Sequence, residues 1–309
     1  MSTTLHDYVR QHGGALSEGG RRATIPGPGH SKRDRSLSLY LTPEGRVVFN
    51  DLSGAHSFRE VADYLGLERS QRPLTDAERQ EMRRRHDAEA QRLEAIKLAF
   101  CREVLEGAQP IAGTPVLPYL QSRGLVPPTS DLWFHPEAPR AAPYNRMADD
   151  PPAPPPHPAM VCVSRDVRGR ARGLHLTFLT DAGAKAFGDR SRLMLGPIAG
   201  SAFQSSPITP DGELGVGEGL ETCGWFSVLH GVPTWATWST SGLRNFVVPR
   251  RVRRLLIAAD HDLTSKGRNP GLEAAQALAE KASRQCAVEI RMPDTVGADW
   301  ADVGTGKAR

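Results

Sequence analysis

Cysteine is scarce in this 309-residue chain, and its spacing excludes more than its number does. The four cysteines, Cys101, Cys162, Cys223 and Cys286, lie far apart and form no C-x-x-C pair. A zinc ribbon needs four clustered ligands and a disulfide scaffold needs paired thiols, so neither is expected; the free thiols suit a reducing cytoplasm. Long apolar runs are missing too. Met1 to Gly20 is polar and carries no signal-peptide pattern, so the expectation is a cytoplasmic protein with no membrane contact. Neither sign of charge dominates, since 39 Lys and Arg against 35 Asp and Glu leave only +4. That balance says little about partners until the charges are located along the chain. The length allows two or three domains, each with a buried core.

What is present is a set of acids at the ends of apolar stretches. Glu218 sits between Gly217 and Gly219, after Leu214 to Val216 and before a helical stretch from Leu220 to His230. The glycines are expected to let the chain turn sharply and leave the carboxylate unshielded. A second apolar strand, Leu255 to Ala259, ends in Asp260-His261-Asp262, followed by a polar glycine loop and an alanine-rich helix, Leu272 to Ala282. Residues two apart on an extended chain point the same way, so Asp260 and Asp262 pair while His261 points away and reads as structural. An Asp after a strand can also do no more than cap the next helix. Three carboxylates at strand ends are equally what a magnesium site for phosphate chemistry needs, because Mg2+ keeps several waters and takes few carboxylates. From Glu213 onward, strands alternate with helices, which implies an α/β domain with a mostly parallel sheet and helices on both faces. Ligands of such sheets sit outside the carboxyl ends of the strands.

Upstream, Ala159 to Ser164 and Ala171 to Leu179 alternate as two strands, after an irregular Pro- and Ala-rich loop from Ala138 to Pro158. Met160 to Gln204 carries seven Arg or Lys against three acids, whereas twelve face twelve from Ser205 onward. The positive excess thus lies beside the acids rather than among them. Metal-binding carboxylates repel a phosphate chain and a neighbouring basic surface holds it, although such arginines can also serve only to solubilise a hairpin. Thr114 to Leu125 reads as a short helix with Val116, Leu117 and Leu120 inward. Glu68 to Gly107 is strongly helical; a capping box of Thr75 and Glu78 follows Pro73, and the packing face begins at Leu93 and Ile96. Its nine acids and nine bases from Glu68 to Glu106 mark a solvated connector. At the start, a helix from Thr4 to His12 leads into a basic loop from Arg21 to Arg35. Strands Ser36 to Leu41 and Arg46 to Asn50 then flank a Pro43-Glu44-Gly45 turn. A helix from Ser57 to Leu65 follows, with Phe58, Val61, Ala62 and Leu65 on one face.

Gly217-Glu218-Gly219-Leu220-Glu221-Thr222, Gly231-Val232-Pro233 and Asp260-His261-Asp262 with Gly267, Arg268, Gly271, Ala274 and Ala275 together resemble a Toprim domain. That domain is shared by DnaG-type primases, topoisomerases and some nucleases. Asp299-Trp300-Ala301-Asp302 resembles the late D-W-x-D element of plasmid- and phage-type primases. The TPVLPYLQSRGL stretch resembles the YL-x-x-RGL element of the same group, and Gly173 to Leu179 its G-x-H-x-T-x-L strand. The N-terminal stretch is similar to the zinc ribbon of DnaG-type primases, but Ile25 stands where the first cysteine would be and Phe49 to Leu52 holds none. His30 alone remains as a ligand, so zinc is not expected.

The resemblance implies four segments: a ribbon-like domain without zinc ligands at 1–67, a helical connector at 68–108, a basic α+β primase-like subdomain at 109–205 and a Rossmann-like Toprim domain at 206–309. It implies that Glu218, Asp260 and Asp262 form the catalytic site and hold Mg2+ or Mn2+, with Asp302, and after it Asp299, as a further ligand. Glu218 acts either as a metal ligand or as the group that relays the proton of the attacking hydroxyl. Lys32, Arg33 and Arg35, then Arg165, Arg168, Arg170, Arg172, Arg190 and Arg192, and finally Lys266 and Arg268 are the expected nucleic-acid contacts. His175 either touches a nucleotide or packs in the sheet, Glu221 faces the site or turns from it, and Trp225, Trp235 and Trp238 read as core. The function implied is magnesium-dependent synthesis of short RNA primers from nucleoside triphosphates on a single-stranded DNA template. No helicase or helicase-docking region is visible, which leaves a replicative helicase as a separate partner or the activity lost. A Toprim nuclease and a non-catalytic single-stranded DNA-binding module remain open. A topoisomerase is disfavoured, because none of the five tyrosines lies in a recognisable strand-cleaving domain.

Overall fold

Successive residues of one apolar strand, Leu255 to Ala259, bury themselves in different helix layers, and the larger part of the chain is built around that alternation. The computed structural model describes residues 4–17, 20, 22–32, 34–42, 47–51, 53, 56–67, 76–128, 130–146, 150–264 and 267–308. They fall into two compact units, Met1–His86 with Asn145–Pro152 and Asp87–Tyr144 with Ala153–Arg309. No described helix is long and apolar enough to cross a membrane. The turn expected at Pro43-Glu44-Gly45 and the capping box built on Thr75 lie outside the described residues.

In the first unit, α1 (Leu5–His12) precedes four antiparallel strands in chain order, β1 (Ala15–Ser17), β2 (Arg22–Ile25), β3 (Leu37–Leu41) and β4 (Val47–Asp51), and then α2 (Phe58–Tyr64). The stretch read as one basic loop from Arg21 to Arg35 is therefore interrupted by a strand. Ala23 and Ile25, two apart, are fully buried against Leu37 and Leu39, and that pairing outweighs the local glycine and proline content. Phe58 corrects a second expectation. It stands 77% exposed in the first turn of α2 and stacks on Phe49, while Val61 and Leu65 supply the buried stripe.

The positions where the ribbon resemblance calls for metal ligands hold two carboxylate-centred turns. Asp34 accepts hydrogen bonds from the Gly27 and Ser36 amides, from the Ser36 hydroxyl and from His30 Nδ1. Asp51 accepts from the Ser53 amide and hydroxyl and from the His56 amide and Nδ1. The His30 and His56 rings meet with centroids 5.1 Å apart. The Ser36 hydroxyl, then His30, holds Asp34 well below the usual carboxylate range, and the Ser53 hydroxyl does the same for Asp51.

The second unit takes in the end of α3 (Asp76–Glu106) and α4 (Val116–Gln121), β5 (Leu132–Ala138), β6 (His157–Arg165), β7 (Ala171–Phe178), β8 (Arg192–Leu195) and β9 (Ala202–Phe203). There follow β10 (Glu213–Gly217), α5 (Leu220–His230), β11 (Thr234–Ala236), α6 (Thr240–Asn245), β12 (Arg254–Ala258), α7 (Pro270–Ala282), β13 (Ala287–Arg291) and α8 (Trp300–Gly304). On α3, Leu93 and Ile96 remain exposed, and the packed stripe begins only at Phe100, Cys101, Val104 and Leu105, whose spacing of three and four puts them on one face. The strands form one nine-stranded sheet in the order β13-β12-β10-β11-β9-β6-β7-β8, with β5 on β6. Its first four strands are parallel and the rest antiparallel. Stretches 109–205 and 206–309 share this sheet through β9, a strand of two residues that pairs with both β11 and β6. Strands as short as β8 and β9 carry too few residues for alternation to announce them.

Helices cover both faces of the parallel part. Leu255, Ile257 and Ala259 pack with Leu243, Ala274, Ala275 and Leu278 of α6 and α7. Leu256 and Ala258 pack with Phe226 of α5 and Trp300 of α8. Between β10 and β11 the strands approach so closely that a Cβ on Gly215 would lie 2.3 Å from Thr234 Oγ1 and 3.0 Å from its Cβ. A β-branched side chain cannot rotate out of that position. Gly215→Ala should cost about 1–3 kcal/mol, read as a lower urea midpoint with an unchanged slope.

Candidate functional site

Strand order decides where this site lies. β10 and β12 pair in parallel from Glu213 opposite Arg254 to Gly217 opposite Ala258. From β10 the chain crosses to β11 on one side, and from β12 to β13 on the other. The crevice at the carboxyl ends of these two strands is thus the switch point of the sheet, and Glu218 and Asp260 flank it.

The glycines around Glu218 act by their size. The chain does bend at Glu218 and Gly219, between β10 and α5, but neither Gly217 nor Gly219 has a positive φ, so the bend needs no left-handed backbone. A Cβ on Gly217 would meet Cys223 Sγ at 3.0 Å, whereas on Gly219 it would find nothing closer than 3.8 Å, which leaves the approach to Glu218 open. The chain after β11 holds the backbone here. Thr237 N and Oγ1 donate to the Gly217 carbonyl at 2.9 Å each, and Trp238 N donates to the Glu218 carbonyl at 2.7 Å. Trp238 adopts φ 73°, a conformation that costs a non-glycine residue free energy and tends to occur at functional sites. Its ring stacks on His175 at 3.9 Å and 6°, and its Nε1 donates to Ser164 Oγ. Trp238 and Trp225 are half-buried, Trp235 is core, and His175 is buried in the sheet.

His261 fixes the loop that carries the remaining acids. Its amide donates to Ala298, its carbonyl accepts from Gly297, and Nδ1 lies 2.9 Å from the Pro293 carbonyl. This brings Asp299 into charge contact with Asp260. Asp299 caps α8 by accepting from the Asp302 amide at 2.8 Å, and Asp302 reaches back to the Asp299 amide. Both acids take part in the cap, and Asp299 is the one whose charge reaches Asp260.

Burial, and then the charge of Asp262, pushes the Glu218 carboxyl up to about 7. Burial and the charges of Glu218, Asp299 and Asp262 push Asp260 up to about 7 as well, against the Thr222 hydroxyl 3.5 Å away. Oxygen donors that repel one another suit a hard divalent cation such as Mg2+ or Mn2+. Among the described residues, no group of three or more His, Cys, Asp or Glu side chains is arranged to hold a metal ion as it stands.

The basic residues expected to meet nucleic acid divide into two groups. Arg165 forms a two-pronged pair with Asp131 at 2.7 and 2.6 Å, Arg170 pairs with Asp166, Arg172 with Glu94 and Arg268 with Glu273. Arg35 donates to the carbonyls of Lys32 and Asp34. Lys32, Arg168 and Arg190 are exposed, and Arg192 is 56% exposed at the edge of the candidate site. Arg33 and Lys266 lie outside the described residues. Sequence reasoning missed Arg123 and Lys185, which join Arg192 around Glu221. The signal for Arg123 was in hand, since the YL-x-x-RGL element carries both it and Tyr119.

Residues 213–308 match a family described as a Toprim domain, and residues 96–205 one described only as a domain of unknown function, DUF7146. No curated protein matches the chain. Among solved structures, a DNA primase domain from Pseudomonas aeruginosa is similar at 15% identity over 70% of this chain and 75% of its own, with a TM-score of 0.42. The Aquifex aeolicus primase, with its zinc-binding and RNA polymerase domains, is similar at 14% identity over 98% and 80%, with a TM-score of 0.43. The primase fragment of the bacteriophage T7 primase-helicase protein is similar at 13% over 61% and 70%, with a TM-score of 0.39. These likenesses are distant, and the functional reading rests on the site itself and on the family match.

Glu218 and Asp260 have folded-state values above the usual carboxylate range of about 4. The folded protein therefore binds more protons than the unfolded chain between about pH 4 and pH 7, and stability falls as pH rises through that window. In EDTA, Glu218→Gln should melt a few degrees above the wild type at pH 8, and the gap should close toward pH 4. Added Mg2+ should raise the wild-type melting temperature at pH 8 but not that of Asp260→Asn/Asp262→Asn.

Proposed function

Residues 213–308 of this chain form a Toprim domain, and from that premise we propose a primase-like enzyme that joins ribonucleotides on single-stranded DNA. The observation that carries this reading is the placement of Glu218 and Asp260 at one switch point, electrostatically coupled to Asp262 and Asp299, in the same sheet that bears the cations. Asp260 and Asp262 would hold Mg2+ or Mn2+, with Asp299 or Asp302 beside them. When bound, such an ion offsets charge on the phosphates and lowers the pKa of the attacking hydroxyl. Glu218, at the mouth of the crevice with no side chain on either neighbour, either joins that ligand set or accepts the hydroxyl proton. Arg192, with Lys185 and Arg123 behind it, offers the basic surface that keeps a phosphate chain next to acids that would otherwise repel it. Template, nucleoside triphosphates and a separate replicative helicase are the partners this reading calls for.

The test is incubation of the full chain with labelled ribonucleotides, a single-stranded template and Mg2+. New short RNA is expected, and Asp260→Ala/Asp262→Ala should reduce it by about 100-fold or more. Shortened template without new RNA would instead establish a nuclease, and binding without either product a non-catalytic module.

A further inference from the structure

Glu221 lies three residues beyond Glu218, in the first turn of α5, yet its partners come from α4 and the turn after it, from the loop between β7 and β8, and from β8. Tyr119 Oη donates to its Oε1 at 2.7 Å, Arg123 Nε at 3.1 Å and Lys185 Nζ at 3.2 Å, and an Arg192 guanidinium nitrogen stands 3.8 Å from Oε2. Arg123 is fixed further. Its guanidinium lies over the Tyr119 ring at 3.9 Å, and its carbonyl accepts from Trp225 Nε1 at 2.9 Å. Three cations thus surround one carboxylate, and the carboxylate is the most enclosed of the four. Its side chain is 19% exposed, against 28% for Arg123, 27% for Lys185 and 56% for Arg192. Burial works against its ionised form, but the Tyr119 hydroxyl and the Lys185 and Arg192 charges outweigh it and hold the carboxyl at about 2. The cluster thus sets three basic side chains against one carboxylate, with Arg192 the most exposed of them.

Without an anion among them, three neighbouring cations would repel and swing apart, because long Lys and Arg side chains keep wide rotamer freedom. We infer that Glu221 is a positioning residue, a buried anchor that holds Arg123, Lys185 and Arg192 in fixed places as a phosphate-facing wall beside the carboxylates. The inference rests on the reading of this site as one that handles a phosphate chain. It also resolves which way Glu221 turns: toward the cations, away from any ligand set with Asp260.

Neutralising Glu221 has two opposed effects on binding of a polyanion. It adds one net positive charge, which favours binding. It also releases the cations from their alignment, which disfavours it. An extra charge at an exposed site is screened and changes affinity only a few-fold. Loss of a buried, multiply bonded anchor should weigh more, on the order of tenfold. The sign of the change therefore separates a positioning role from a merely electrostatic one.

The experiment measures binding of a labelled single-stranded oligodeoxythymidylate to the full chain in EDTA, across a range of salt, so that metal binding by the acids plays no part. Arg192→Ala should weaken binding and reduce the salt slope by about 0.7. Glu221→Gln should weaken it by about tenfold despite the gained charge, at a temperature where thermal melting shows the variant folded. If Glu221→Gln does not fold, Glu221→Asp keeps the charge but withdraws the carboxylate by one methylene, and it should bind several-fold more weakly. Unchanged or tighter binding by the folded Glu221 variant, with Arg192→Ala weakened, overturns the positioning role and leaves the phosphate-facing surface standing. Wild-type affinity in both variants overturns that surface as well.

Discussion

Two strands that are not consecutive in the chain, β10 and β12, pair over five residues, and the candidate site exists because of that pairing. Each strand brings one carboxylate to the same edge, and among the described residues no ion pair to either acid is formed there. Burial, and then the charges of neighbouring acids, raise both in pKa, which is an unfavourable arrangement for a folded protein. The arrangement persists because the pairing is secured elsewhere. Leu214, Val216, Leu255 and Ile257 are fully buried under α6 and α7, and Leu256 and Ala258 under α5 and α8. A hydrophobic core on both faces of the strands holds charges together that would otherwise move apart.

The antiparallel half of the sheet solves the complementary problem. There, cations must be kept close to one another, and a single carboxylate from the first turn of α5 does it. Glu218 and Glu221 are two acids on one short stretch with opposite surroundings, the first among acids and the second among bases. β9 and Trp238 link the two halves. The first carries the hydrogen-bond ladder across, and the second fastens the Glu218 carbonyl while it stacks on His175 of β7. Both signs of charge thus lie within one compact unit.

In the N-terminal unit, carboxylates gather hydrogen bonds rather than repel one another. Asp34 and Asp51 each collect four hydrogen bonds from amides, a hydroxyl and a histidine. A carboxylate with several donors closes a turn much as a metal ion gathers its ligands, and needs no cysteine to do so.

Much of this was legible from residues alone. The order of strands and helices after Glu213, the acids at the strand ends, the structural role of His261 and the excess of basic residues upstream all follow from periodicity and charge spacing, which are local properties. Strands of two to four residues, such as β2, β8 and β9, were not legible, because they exist only through their partners. Charge totals likewise counted Arg165, Arg170 and Arg172 as available when Asp131, Asp166 and Glu94 neutralise them. The direction in which Glu221 turns depends on Tyr119, Arg123 and Lys185, which lie between 36 and 102 positions away along the chain. Sequence determined which chemical groups are present and which elements carry them. Tertiary structure alone decided which of those groups meet, because contact between distant residues is set by strand pairing and core packing that no local pattern contains.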